Sequence, residues 1–159
     1  MLDLNYLIDV LKVIVFSMLP VVEIRGGIPL GISLGFHPIQ AFIFSALGNI
    51  AIILPLIVIL NLLDPFFRSL PGIRLIYEKS IDRVLARRDR YLKYGKYVLF
   101  FFVAIPFPTT GAWTACLASY IFQIPKKDSF WIISTGVLTA GLIVLLISQT
   151  TISFLTFLD

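Results

Sequence analysis

Between Pro38 and Leu63 the chain carries no charged side chain. These 26 residues, at about 1.5 Å each, make a helix of roughly 39 Å, enough to cross a ~30 Å hydrocarbon core with tilt. A second uncharged run, Ser129 to Leu158, is longer still. Two such stretches in 159 residues put the bilayer ahead of every other constraint, and the composition agrees: 58% of residues are hydrophobic, 14% are charged, and the mean hydropathy is +0.97. One Cys, Cys116, and one His, His37, leave no disulfide framework and no Cys/His metal cluster, so no metal and no cofactor are expected. No Lys or Arg precedes Lys12, so the first apolar stretch lacks the basic start of a secretory signal and is expected to be retained.

The formal charge of +4 is concentrated in one place. Residues 64–96 hold nine of the thirteen Lys/Arg and four of the nine Asp/Glu, and the rest of the chain sums to −1. Such a basic loop stays in the cytoplasm under the positive-inside rule. Within it Ile73, Ile76, Tyr77, Ile81, Val84, Leu85, Tyr91 and Leu92 recur at spacings near three and four, which predicts an amphipathic helix lying on the inner leaflet. No nucleic-acid-reading motif accompanies the charge, so nucleic acid is not an expected partner.

The two remaining apolar segments are interrupted near their middles. Residues 4–19 end at Pro20, and Glu23, Arg25 and Gly26-Gly27 follow before His37-Pro38. Tyr97 to Ile105 runs into Pro106-Phe107-Pro108-Thr109-Thr110-Gly111, with a further dozen residues before Pro125. Each return arm is too short to cross, so both segments read as re-entrant hairpins, whose irregular tips survive only inside protein or beside a wet cavity. This places Lys126 and Lys127 on the same side as the basic loop, and both termini outside. Shifting the chain by 86 residues aligns Phe16 with Phe102, Pro20 with Pro106, Ser33 with Ser119, Phe36 with Phe122, Phe44 with Phe130 and residues 57–60 with 143–146.

The expected fold is therefore an all-α integral membrane protein, an inverted repeat of two units. The first unit, 1–63, comprises a hairpin over 4–36 and a transmembrane helix over 38–63. Residues 64–96 form the cytoplasmic linker. The second unit, 97–159, comprises a hairpin over 97–124 and a transmembrane helix over 128–155.

Glu23 and Arg25 are the main candidates for chemistry, because ionisable groups at bilayer depth rarely persist without pairing or use. In extended backbone residues two apart point the same way, so carboxylate and guanidinium are expected to pair, either to hold the tip or to load and release a proton. Gly26-Gly27-Ile28-Pro29 reads as flexible backbone before a helix with Pro in its first turn. Thr109-Thr110-Gly111 reads as its counterpart, with a Thr as N-cap. Two helix N-termini would then face one cavity beside Arg25, an anion site, or else these are ordinary tip residues. Asn49, Pro55, Gly136 and Gly141 read as packing or kink positions, Trp113 and Trp131 as packing residues or interfacial anchors, with Trp113, just after the tip, alternatively lining the cavity, Cys116 as core and His37 as loop.

The strings PVVEIRGGIPLGISLG (Pro20–Gly35) and AIPFPTTGAWTACLAS (Ala104–Ser119) resemble the two signature hairpins of the small multidrug export protein family, and more distantly the DedA and SNARE-associated membrane proteins. The matching positions are Pro20, Glu23, Arg25, Gly26, Gly27 and Pro29, then Pro106, Pro108, Thr110, Gly111, Ala112 and Trp113. Thr109 and Ala115 stand where the family often has Gly. The resemblance implies two oppositely oriented hairpin-plus-helix units and a transport role.

The expected function is that of a DedA-like, proton-linked transporter moving an amphipathic substrate with an anionic head, such as a polyprenyl phosphate or phospholipid. Efflux of amphipathic organic cations and a non-transporting scaffold are the alternatives. No nucleophile stands in a recognisable arrangement with a base, so an enzyme is not expected. Membrane lipids, a small amphipathic substrate and a second copy of the chain are the expected partners.

Overall fold

The computed structural model describes residues 4–65, 88–106 and 110–158, and all regular structure among them is helical, with no strand. Six helices follow in order: α1 (Leu4–Met18), α2 (Glu23–Ser33), α3 (Pro38–Leu62), α4 (Arg88–Ala104), α5 (Ala112–Ile121) and α6 (Lys126–Leu158). Most of the expected amphipathic helix, and the tip residues Pro108 and Thr109, lie outside the described residues. Helix α4 runs unbroken across the boundary expected between residues 96 and 97.

Among the described residues, two helices are long and apolar enough to cross a membrane: Pro38–Leu62, and Lys126–Thr150 within α6. Only 33% of the most apolar part of each is buried inside the chain, where the core helix of a soluble protein would be mostly covered. The exposed remainder includes Ile43, Leu47, Leu54 and Val58 on α3 and Leu142, Leu146 and Ile147 on α6, an apolar surface suited to lipid. Helices α1, α2 and α5, with 15, 11 and 10 residues, are too short for the same span at about 1.5 Å per residue.

Small residues set the helix contacts. A Cβ at Gly31 would stand 2.7 Å from the Ala41 Cβ, and one at Gly27 would collide with the Ser17 and Ser45 hydroxyls, so α2 lies close against α1 and α3. A Cβ at Gly48 would overlap the Ile14 carbonyl oxygen, and one at Gly136 would lie 2.8 Å from the Val103 Cβ and 3.2 Å from the Phe100 carbonyl oxygen. Helices α3 and α6 are antiparallel. Lys126, which opens α6, lines one cavity with Ile57 and Asn61 near the end of α3, and fifteen residues later Gly141 packs against the Phe42 ring near its start.

The two turns that feed the long helices are built alike. Gly35 has φ +89°, with the Phe36 N–H donating to the Gly31 carbonyl; Gln123 has φ +52°, with the Ile124 N–H donating to the Ser119 carbonyl. These positions lie 88 apart, as do Gly48 and Gly136 and the first residues of α3 and α6. The 86-residue register holds for the first arms, where Ile14 and Phe100 each meet the long helix of their own half. It fails beyond them because the second tip has two more residues: Glu23 follows Pro20 by three positions, whereas Gly111 follows Pro106 by five.

His37 is more than a loop residue. Its Nδ1 accepts from the Ile39 N–H at 3.4 Å, and the Gln40 side chain accepts from the His37 N–H at 3.1 Å, so His37 caps α3 ahead of Pro38.

Candidate functional site

The chain enters α2 through strained backbone. Val21 has φ +76° and Glu23 φ +48°, a region that a β-branched residue rarely adopts. The turn is held by the Glu23 N–H donating to the Leu19 carbonyl at 3.2 Å and the Gly26 N–H to the Val22 carbonyl at 2.9 Å. The conformation aims the Glu23 side chain away from α2 and into the start of α5, where it is 5% exposed.

There the Glu23 carboxylate accepts from the Trp113 backbone N–H at 3.3 Å. Trp113 is the second residue of α5, so this N–H has no partner within its own helix, and a carboxylate beside it also complements the helix dipole. The expected N-cap Thr is corrected: Gly111 is the N-cap, and its N–H donates to Thr114 Oγ1 at 3.0 Å. The reason is steric, because a Cβ at Gly111 would overlap the Glu23 carboxylate. A side-chain cap on α5 itself has no room while Glu23 supplies one from the other half.

Arg25 reaches the same place. Its guanidinium donates to the Thr110 carbonyl oxygen, and the Trp113 indole Nε1 donates to the Met18 carbonyl at 3.0 Å, closing the free end of α1. The Glu23 and Arg25 charges are near enough to act on one another, and each also binds the second tip. The backbone is not the extended one expected, since both residues lie in the first turn of α2.

Gly26, Gly27 and Pro29 are corrected likewise. They lie inside α2 and not before it, because the helix starts three residues earlier than Gly26. Gly27 is a contact point, and a Cβ at Gly26 would stand 2.6 Å from Val22 Cγ1. Pro29, at the exposed face, removes a helical donor to the Arg25 carbonyl. Pro106 ends the described part of the second arm and is half-buried. Of the candidates named from the sequence, the structure thus brings together Glu23, Arg25, Thr110, Gly111 and Trp113.

Sequence reasoning missed four participants: Ser17 and Ser45, which flank Gly27, and Thr114 and the Met18 carbonyl, which hold the start of α5. Thr114 had a signal, standing three residues after a turn glycine where a capping residue folds back. It also missed a cavity of about 210 Å³ beside α5, lined by Asn61, Cys116, Ser119, Tyr120, Gln123 and Lys126 among others. The Tyr120 hydroxyl donates to the Asp64 carboxylate, tying α5 to the chain just past α3.

The arrangement is a buried carboxylate and a half-buried guanidinium shared by two chain turns, among helices with apolar outer surfaces, an internal polar junction that fits an integral membrane protein. Residues 23–143 match the family described as “putative small multi-drug export protein”, and the chain belongs to that family. Comparison with curated proteins and with solved structures gives no match.

Proposed function

We propose that the protein is a proton-linked membrane transporter for amphipathic molecules with an anionic head, a polyprenyl phosphate or phospholipid being the substrate class. The observation that carries this reading is the placement of Glu23: a negative group buried against the α5 N-terminus and Arg25. A site that holds one anion by backbone N–H groups and a guanidinium suits another. Protonating Glu23 weakens its hold on α5, by about 0.3–1 kcal/mol for the charge–dipole part alone. An incoming anionic head then replaces it, and its release restores the carboxylate to the cap.

In this reading each half is a re-entrant hairpin plus a crossing helix, as in DedA-like architecture, and the halves are inverted across the membrane. The antiparallel course of α3 and α6 supports that orientation. Residues 64–96 lie in the cytoplasm and both termini outside. Two crossings are too few to enclose a pathway, so the working unit is a dimer.

The family description favours a second reading, export of organic cations with Glu23 as counter-ion. Binding of lipid phosphates and of lipophilic cations to reconstituted protein, compared among wild type, Glu23→Gln and Arg25→Ala, separates the two. Lipid-phosphate binding lost in Arg25→Ala and retained in Glu23→Gln is the expected result. Cation binding lost in Glu23→Gln alone makes efflux the function, and no movement of either class by vesicles carrying wild type leaves a scaffold.

A further inference from the structure

Halfway along α3, both amide atoms of Asn49 and the hydroxyl of Ser45 are buried without a hydrogen-bond partner among the described residues, and on α6 the Ser134 hydroxyl is in the same condition. None of these residues is more than 5% exposed. A helical Ser ordinarily returns its hydroxyl to the carbonyl four residues back, as Ser17 does to Val13 at 2.8 Å. Leaving a buried polar atom unsatisfied costs about 1–3 kcal/mol, so four such atoms in one region need a common explanation.

They lie within about one helical turn of one another along the chain axis. Gly141 packs against Phe42, so counting seven residues from that contact along the antiparallel helices brings Asn49 and Ser134 to one level, with Ser45 one turn away. On the other side α2 runs back along α3, with Gly31 at Ala41 and Gly27 at Ser45. One further turn of each helix leads to Glu23 and Asn49. Asn49 and Ser134 thus lie at one level of the long helices and Ser45 one turn away toward α2, near the turn of α2 from which Glu23 projects.

We propose that Asn49, Ser45 and Ser134 hold internal water, a hydration site that gives Glu23 contact with water from the α3–α6 side. Water is the ligand whose chemistry fits. The amide nitrogen needs an acceptor, the amide oxygen needs a donor, and the hydroxyls serve as either, so one or two waters satisfy all four atoms. A bare cation would leave the amide N–H groups unmet, and no carboxylate belongs to the set to offset its charge. The access of Glu23 rests on the proposed transport cycle; the hydration site does not.

The test is water-edited solid-state NMR on the full chain in lipid bilayers, with the Asn side chains labelled. The chain has three asparagines, Asn5, Asn49 and Asn61. The Asn49 amide is identified by its loss in Asn49→Leu, a substitution that keeps the branching of the side chain and removes the unsatisfied groups. The expected result is build-up of water polarisation at Asn49 within about twofold of the rate at Asn5, slowed about threefold or more in the Ser45→Ala, Ser134→Ala double variant. A dry Asn49 amide, or build-up that the serine substitutions leave unchanged, overturns the proposal. Because transport is not measured, a negative result here stays separate from failure of the proposed function.

Discussion

Glu23 and Gly111 face each other across the two halves of the chain, at positions 88 apart, the same spacing that separates Gly48 from Gly136. One brings a carboxylate and the other no side chain at all, because the junction has room for a single group. The carboxylate then serves two helix starts at once, lying in the first turn of α2 and accepting from the Trp113 N–H of α5.

Gly111→Ala should therefore displace the Glu23 carboxylate and destabilise the protein by about 1–3 kcal/mol, the range for overpacking a close contact. Glu23→Ala should remove most of that penalty, so the double variant should be less than additive. Reversible unfolding in mixed detergent micelles measures both.

Moving the acid to the opposite position gives a sharper check. The variant Glu23→Gly, Gly111→Glu should be more stable than Gly111→Glu alone, because the latter confines two carboxylates in the space of one. Equal stability of the two variants would mean that the groups do not share a space.

Gly48→Ala should cost more than Gly136→Ala. A Cβ at Gly48 meets the Ile14 backbone, which moves only with α1, whereas at Gly136 the nearest atoms belong to the Val103 side chain. A difference of about 1 kcal/mol or more in unfolding free energy is expected, with the Gly48 variant the weaker.

Replacing the Trp113 indole donor should loosen α1 from α5. Trp113→Phe keeps a ring and removes the Nε1–H that binds the Met18 carbonyl, at a cost of about 1 kcal/mol. Hydrogen exchange should quicken around Met18 while the middle of α3 stays protected.

Thiol accessibility decides the orientation of the halves. In a Cys116→Ala background, Lys126→Cys should react with an impermeant reagent only from the side that exposes residues 64–96, and His37→Cys only from the other. Lys126→Cys reacting from the His37 side would exclude the hairpin arrangement.

The two long helices are plain in the sequence because absence of charge over 25 residues has few other meanings, and Glu23, Arg25, Thr110 and Gly111 stand out there by their place at Pro/Gly-rich breaks in apolar segments. The start of α2 was misplaced because Gly26-Gly27 and Pro29 look like a breaker; in the structure they are tolerated where close contact with Ser17 and Ser45 outweighs poor helix propensity. The Thr N-cap failed for a reason no local pattern carries, since the cap comes from a residue 88 positions earlier than the N-cap itself. The gapless 86-residue alignment followed the paired prolines and missed that the glycines which set helix contact obey another spacing.

That distant cap also bears on how the protein is made. Glu23 leaves the ribosome ninety residues before Trp113, an interval of roughly 5–20 s at ordinary rates of synthesis. Throughout it the carboxylate has only the first turn of α2 and not the start of α5 to serve, so in the nascent first half this acid is left to water until the second half arrives.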